Sequence, residues 1–182
     1  MPLNHGLYIA AFAPGVMKVG VSKWNRTPTR LAEQGARAGL IVARDDGQLI
    51  RRTEDMIKSL GIKDKINHHD KLRSMSSDVS LESLYEELDE VLKTLKRRMR
   101  AQWVDPQRVD LPIHPTLPHT RMMNTAGLSI HGAVEDTVGQ LIVLKDEAGE
   151  YVAIDGSSLV GRYIDDLDKE ESSNYQMSLL AN

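Results

Sequence analysis

The 182-residue chain has no cysteine, one phenylalanine and two tryptophans, and no apolar run long enough for a membrane span. Without cysteine there are no disulfides, iron–sulfur clusters or thiolate zinc sites, and the composition suits a reducing cytoplasm. With aromatic residues at 4%, aliphatic side chains and methionine must fill the core. A spanning helix needs roughly 20 apolar residues, so the expectation is a soluble, cytoplasmic protein with no membrane association. Leu7 to Ala13 ends in Ala-Phe-Ala, like a signal-peptidase site. It lacks a basic region before it and runs straight into a turn, which argues against a leader. Repeats and low-complexity tracts are also missing.

What is present describes a globular chain: 41% hydrophobic and 27% charged residues, enough for one ordinary domain or two small ones. The net charge of −3 hides an asymmetry. Residues 1–75 carry 13 Lys and Arg against 7 Asp and Glu, whereas residues 76–182 carry 10 against 19. A basic first half suggests a surface that faces a polyanion, and an acidic second half suits solubility or a partner. Two plainly solvated faces would give the same count.

Leu7–Phe12 and Val16–Val21 read as two strands joined by Ala13-Pro14-Gly15 in a hairpin. Thr27-Pro28 starts a helix predicted to run through Leu31 and Ala38 and to stop at Gly39. Leu40–Ala43 makes a third strand, and Gln48–Leu60 an amphipathic helix ended by Gly61. Leu81, Leu84, Leu88, Val91, Leu95 and Met99 recur at helical spacing in a long helix from Ser80 to about Trp103. Its acidic first half and basic second half complement the helix dipole. Four prolines within 104–126 predict an extended connector. Short strands are expected at 128–130, 139–144, 151–154 and 160–164, followed by a polar tail. The predicted class is α+β. An N-terminal β-β-α-β-α domain (1–75) leads to a long connecting helix (76–104) and a proline-rich connector (105–126). A small C-terminal antiparallel β domain (127–165) and a tail (166–182) follow.

Gly6-Leu7-Tyr8 and Lys18-Val19-Gly20, on successive strands, together with Arg30 on the first helix and Glu54 on the second, resemble the GIY-YIG nuclease superfamily. More closely, Lys18-Val19-Gly20-Val21, Arg30, Glu33-Gln34-Gly35-Ala36, Glu54 and Asp64-Lys65-Ile66-Asn67 resemble an uncharacterised branch related to it, with Lys in place of the second motif tyrosine. The resemblance covers about residues 5–75 and, more loosely, the 139–144 region. It implies the GIY-YIG fold, an essential Arg at position 30 and a metal-binding Glu at position 54. Many relatives bear a cysteine-rich metal module, which is missing here, so its functions do not carry over.

The residue chemistry fits that implication. Alternation puts Tyr8 and Lys18 on one side of adjacent strands, where a cation favours phenolate and prepares a general base. Arg30 offers a planar fork to a phosphate. Glu54 suits one Mg²⁺ that keeps most of its waters. Lys23, Trp24 and Arg26, with Arg30, form a candidate nucleic-acid surface combining stacking with phosphate contacts. Each residue also has a folding explanation: Tyr8 as a half-buried strand residue, Lys18 as an edge gatekeeper, Gly20 as a bend, Arg30 and Glu54 as an ion pair, and Trp24 as a cover over the hairpin. Gln34-Gly35-Ala36 marks either a helix end or a close approach of backbone or phosphate. The histidines lack ligand spacing, and no zinc site is expected.

The functional expectation is a nucleic-acid-binding protein of GIY-YIG type: an Mg²⁺-dependent endonuclease, hence a hydrolase of phosphodiester bonds. In it Tyr8 is the base, Lys18 assists, Arg30 binds phosphate and Glu54 the metal. The alternative is a degenerate module that binds DNA, RNA or protein without hydrolysis. The Leu81–Met99 stripe packs either on the first domain or on a second copy, giving a homodimer.

Overall fold

The computed structural model describes residues 4–125 and 130–160. The first sheet starts with a hairpin of β1 (His5–Ala13) and β2 (Val16–Lys23). Gly15 takes the left-handed turn conformation, with φ of 69°. The register sets Tyr8 opposite Gly20 and Ala10 opposite Lys18. After a short 3-10 turn at Trp24–Arg26 comes α1 (Thr27–Glu33), then β3 (Ala38–Asp45) on the far side of β1. The expected extension of this helix to Ala38 is not observed. It ends at Glu33 because Gly35 turns the chain at φ 73° and the Arg37 amide already donates to Ala11 in β1 at 2.9 Å.

Asp46 caps α2 (Gly47–Ser59), accepting from the Gln48 and Leu49 amides at 2.8 and 2.9 Å. The stretch from Gly61 to Asn67 runs along the free edge of β2, where the Val19 amide donates to the Lys63 carbonyl at 2.9 Å. Asn67 then caps a helix not foreseen in the sequence, α3 (His68–Ser76), by accepting from the Asp70 amide at 2.7 Å. Ser80 caps α4 (Leu81–Arg98).

The predicted connector is partly strand. β4 (Trp103–Arg108) pairs with β3 and gives the order β2-β1-β3-β4. Pro106 is tolerated because β4 is at the sheet edge, and it falls in the register gap between the Gln107 and Trp103 pairings. Both faces of this sheet are covered. Ile50 and Ile57 of α2 and Leu84, Leu88, Leu92 and Leu95 of α4 pack on Leu7, Ile9, Val19, Leu40 and Val42. Leu31 of α1 packs on Tyr8, Ala10, Phe12 and Ile41 on the other face. The α4 stripe is therefore buried within its own chain.

The second sheet has the order β5-β8-β7-β6, from β5 (Arg121–Met122), β6 (Ala133–Val138), β7 (Leu141–Lys145) and β8 (Tyr151–Asp155). β6 was not expected, its exposed Val-Glu-Asp-Thr run giving little hydrophobic alternation. The sheet is not purely antiparallel, because β5 and β8 run parallel. Most of the strand expected at 128–130 and of that at 160–164, and the whole tail, lie outside the described residues. The described chain is thus mixed α+β, with two small sheets and four α-helices. No helix among the described residues is long and apolar enough to cross a membrane.

The two sheets meet at a glycine seam. A Cβ on Gly35 would come within 2.9 Å of the Gly139 nitrogen, and one on Gly139 within 2.8 Å of the Gln34 carbonyl. Gly139 also has a positive φ, 62°. Arg37 reinforces the junction by donating to the carbonyls of Ser74, Ser77 and Val79 at 3.3, 2.8 and 2.9 Å. Met75 of α3 packs with Val138, Leu141, Val143 and Ala153 of the second sheet.

Candidate anion-binding site

Lys18 and Arg30 line one open cavity of about 260 Å³. Lys18 reaches it from β2, on the face opposite Val19, and Arg30 from the last turn of α1. The strip paired to β2 at Lys63 brings Asp64 and Lys65 to the rim, so the Asp-Lys-x-Asn run is placed there by one backbone hydrogen bond. Gln34, Lys71 and Gln140 line the remaining wall. Four cationic side chains thus face two acidic ones, Asp64 and Glu33. Glu33 is engaged by Arg30 at 3.2 Å and by Arg26 at 3.4 Å. Lys18 has no ion pair among the described residues. Burial first, then the Arg30 charge, pushes its ammonium below the ordinary range.

Tyr8 is behind this cavity rather than on its surface. It is 2% exposed, and Gln34 Nε2 donates to its hydroxyl at 3.0 Å. The ring passes directly over Gly20, where any Cβ would overlap the phenol. The neighbouring Arg30 charge acts in the expected direction on the Tyr8 phenol, towards phenolate. Burial raises the Tyr8 pKa, and outweighs the lowering by the Gln34 hydrogen bond and by Arg30.

Glu54 lines a different cavity, of about 560 Å³, with His5, Lys23, Arg51, Asp55 and Lys58. The two cavities adjoin: Lys58 of one stands 3.6 Å from Asp64 of the other. Burial raises the Glu54 pKa, opposed by Lys58, and the Glu54 charge also reaches Tyr8 and Lys18. No three His, Asp or Glu side chains gather into a metal cage among the described residues. Glu54 and Asp55 are the carboxylates of this cavity that could ligate a hard divalent ion together with water.

Trp24 and Lys23 line a third cavity, of about 460 Å³. The Arg44 guanidinium is 4.5 Å from the Trp24 ring centroid, and the ring packs against Gly6, where a Cβ would stand 3.2 Å from it. Trp24 thus partly covers the hairpin and presents a cation-stacked ring beside Lys23. Arg26 is exposed and paired with Glu33.

Sequence reasoning missed Lys71, Gln34 as the partner of Tyr8, and Gln140. The signals were indirect: a glycine next to Gln34 and another next to Gln140, both at the seam.

The fold is that of an α+β protein in which a hairpin, two helices and a turn of the second sheet frame a cavity lined by four cationic side chains. Residues 2–159 match the family model described as protein of unknown function (DUF2797). The chain belongs to that family. No curated protein and no solved structure gives a significant match.

Proposed function

We propose that the chain is a nucleic-acid-binding protein of GIY-YIG type that hydrolyses phosphodiester bonds with a divalent metal at Glu54. One observation carries this reading: Lys18 and Arg30 share an open basic cavity that adjoins the cavity of Glu54. Arg30 and Lys65 grip the diester. A metal at Glu54 would supply charge stabilisation for the leaving oxygen. The lowered pKa of Lys18 moves it towards the neutral amine that a general base requires. In this reading Lys18, which lines the cavity beside Arg30, takes the proton from the attacking water. Tyr8, kept protonated by burial, orients Gln34 instead of acting as base.

The test is incubation with labelled single- and double-stranded DNA and RNA plus Mg²⁺ or Mn²⁺. Glu54→Gln and Lys18→Met should each lower cleavage by roughly 10²–10⁴-fold, the scale of a lost acid–base or charge-stabilising group. Tyr8→Phe should retain most activity. Cleavage that survives Glu54→Gln overturns the assignment. A second reading, a binding module without hydrolysis, is favoured by the burial of Tyr8 and the separate cavity of Glu54. It predicts salt-sensitive binding with no cleavage in either metal.

A further inference from the structure

Lys71 belongs to no motif, yet it is among the most buried cations of the described residues, 7% exposed. It rises from the first turn of α3 and lines the cavity of Lys18 and Arg30. Buried ammonium groups ordinarily have a carboxylate partner. Lys71 has none within ion-pairing distance among the described residues. Asp155 of β8 acts on it only through space and is itself 3.5 Å from His68. The room for its head comes from Gly139, where a Cβ would stand 3.1 Å from Nζ. On the same turn Gln140 also lines the cavity. Lys71 shares the cavity with Lys18 and Arg30, and its charge is the smallest of the influences acting on the Lys18 proton; three cations lining one cavity suit an anion.

We infer that Lys71 is a phosphate-gripping residue and that Gln140 walls the same pocket, so the second sheet completes a site begun by the first. The inference rests on the phosphate-binding reading of the cavity. The ligand is a phosphate group, either of a nucleic-acid strand or of a free phosphorylated compound. At about 260 Å³ the space is near the lower end of small-ligand pockets, and suits one phosphate with the sugar attached to it.

Two probes distinguish the sources: a fluorescein-labelled single-stranded oligonucleotide followed by anisotropy, and pyrophosphate followed by calorimetry. Lys71→Gln should weaken both. It should also flatten the slope of log affinity against log salt by about one unit between roughly 50 and 200 mM. Gln140→Ala should weaken pyrophosphate more than it changes the salt slope. If the wild type binds the oligonucleotide and Lys71→Gln matches it in affinity and slope, the inference fails while the nucleic-acid reading stands. If pyrophosphate binds through Lys71 but the oligonucleotide does not bind, the nucleic-acid reading fails and the inference stands. Binding of neither probe overturns both. Should Lys71→Gln not fold, the ¹³Cε resonance of Lys71 in the wild type, assigned with Lys71→Arg, gives the answer. Pyrophosphate must shift it, and an unmoved signal overturns the proposal.

Discussion

Gly20 and Lys18 show how differently two residues of one short motif are determined. Gly20 is fixed by packing, since the Tyr8 ring occupies the place of its side chain. Gly20→Ala should therefore destabilise by roughly 1–3 kcal/mol, as overpacking does. Tyr8→Leu in the same chain should recover part of that loss, a non-additivity that denaturant melts of the double-mutant cycle would reveal. Lys18 is the opposite case. Its lowered pKa means that the folded state binds this proton less tightly than the unfolded chain does. The charged form consequently weakens the fold at neutral pH, and the weakening fades as pH rises from the lowered value towards the ordinary 10.5. Lys18→Met should raise the melting temperature at pH 7, each kcal/mol gained reading as about 2–4 °C in a chain of this size. The advantage over wild type should shrink as pH approaches that limit. The identity and strand positions of Tyr8, Lys18 and Gly20 were legible in the sequence. The depth of Tyr8 was not, because alternation tells which face a residue takes but not whether a helix such as α1 covers that face.

Among the elements, the hairpin, α2 and α4 were legible because each carries its own punctuation, Pro14-Gly15, Asp46 with Gly61, and Ser80, and β3 because of its apolar run, with Gly39 inside the strand rather than ahead of it. The unforeseen elements lacked such local support. β4 contains Pro106 and depends on the edge of β3 for its pairing, and α3 is one short polar helix begun by Asn67. The Gln34-Gly35-Ala36 run had two explanations in the sequence, and both hold: α1 ends there, and a backbone from the second sheet approaches closely. Gly35→Ala should thus cost more than the ordinary penalty for a left-handed residue, about 1–2 kcal/mol. Hydrogen exchange should place the damage in the β6–β7 turn and α3, with β1 and β2 still protected. Uniform loss of protection would contradict this division.

For the whole molecule, the basic and acidic halves of the sequence meet at one cavity. Cations of the first half and Gln140 of the second line one cavity, which charge counting could not foresee. The α4 stripe faces the first sheet, which leaves Leu81, 47% exposed, as its outlying apolar side chain. Light scattering should therefore give a single-chain mass, and a doubled mass would point back to a dimer through Leu81–Met99. The seam of Gly35 and Gly139 has one more consequence. Two bare backbones in contact leave no side chain to adjust if either surface drifts. Lengthening the chain is tolerable around most of the second sheet's rim, but even one inserted residue between Val138 and Leu141 would pull Gln140 off the pocket. Natural variants of this fold should therefore keep their length at both bends of the seam, around Gly35 and around Gly139.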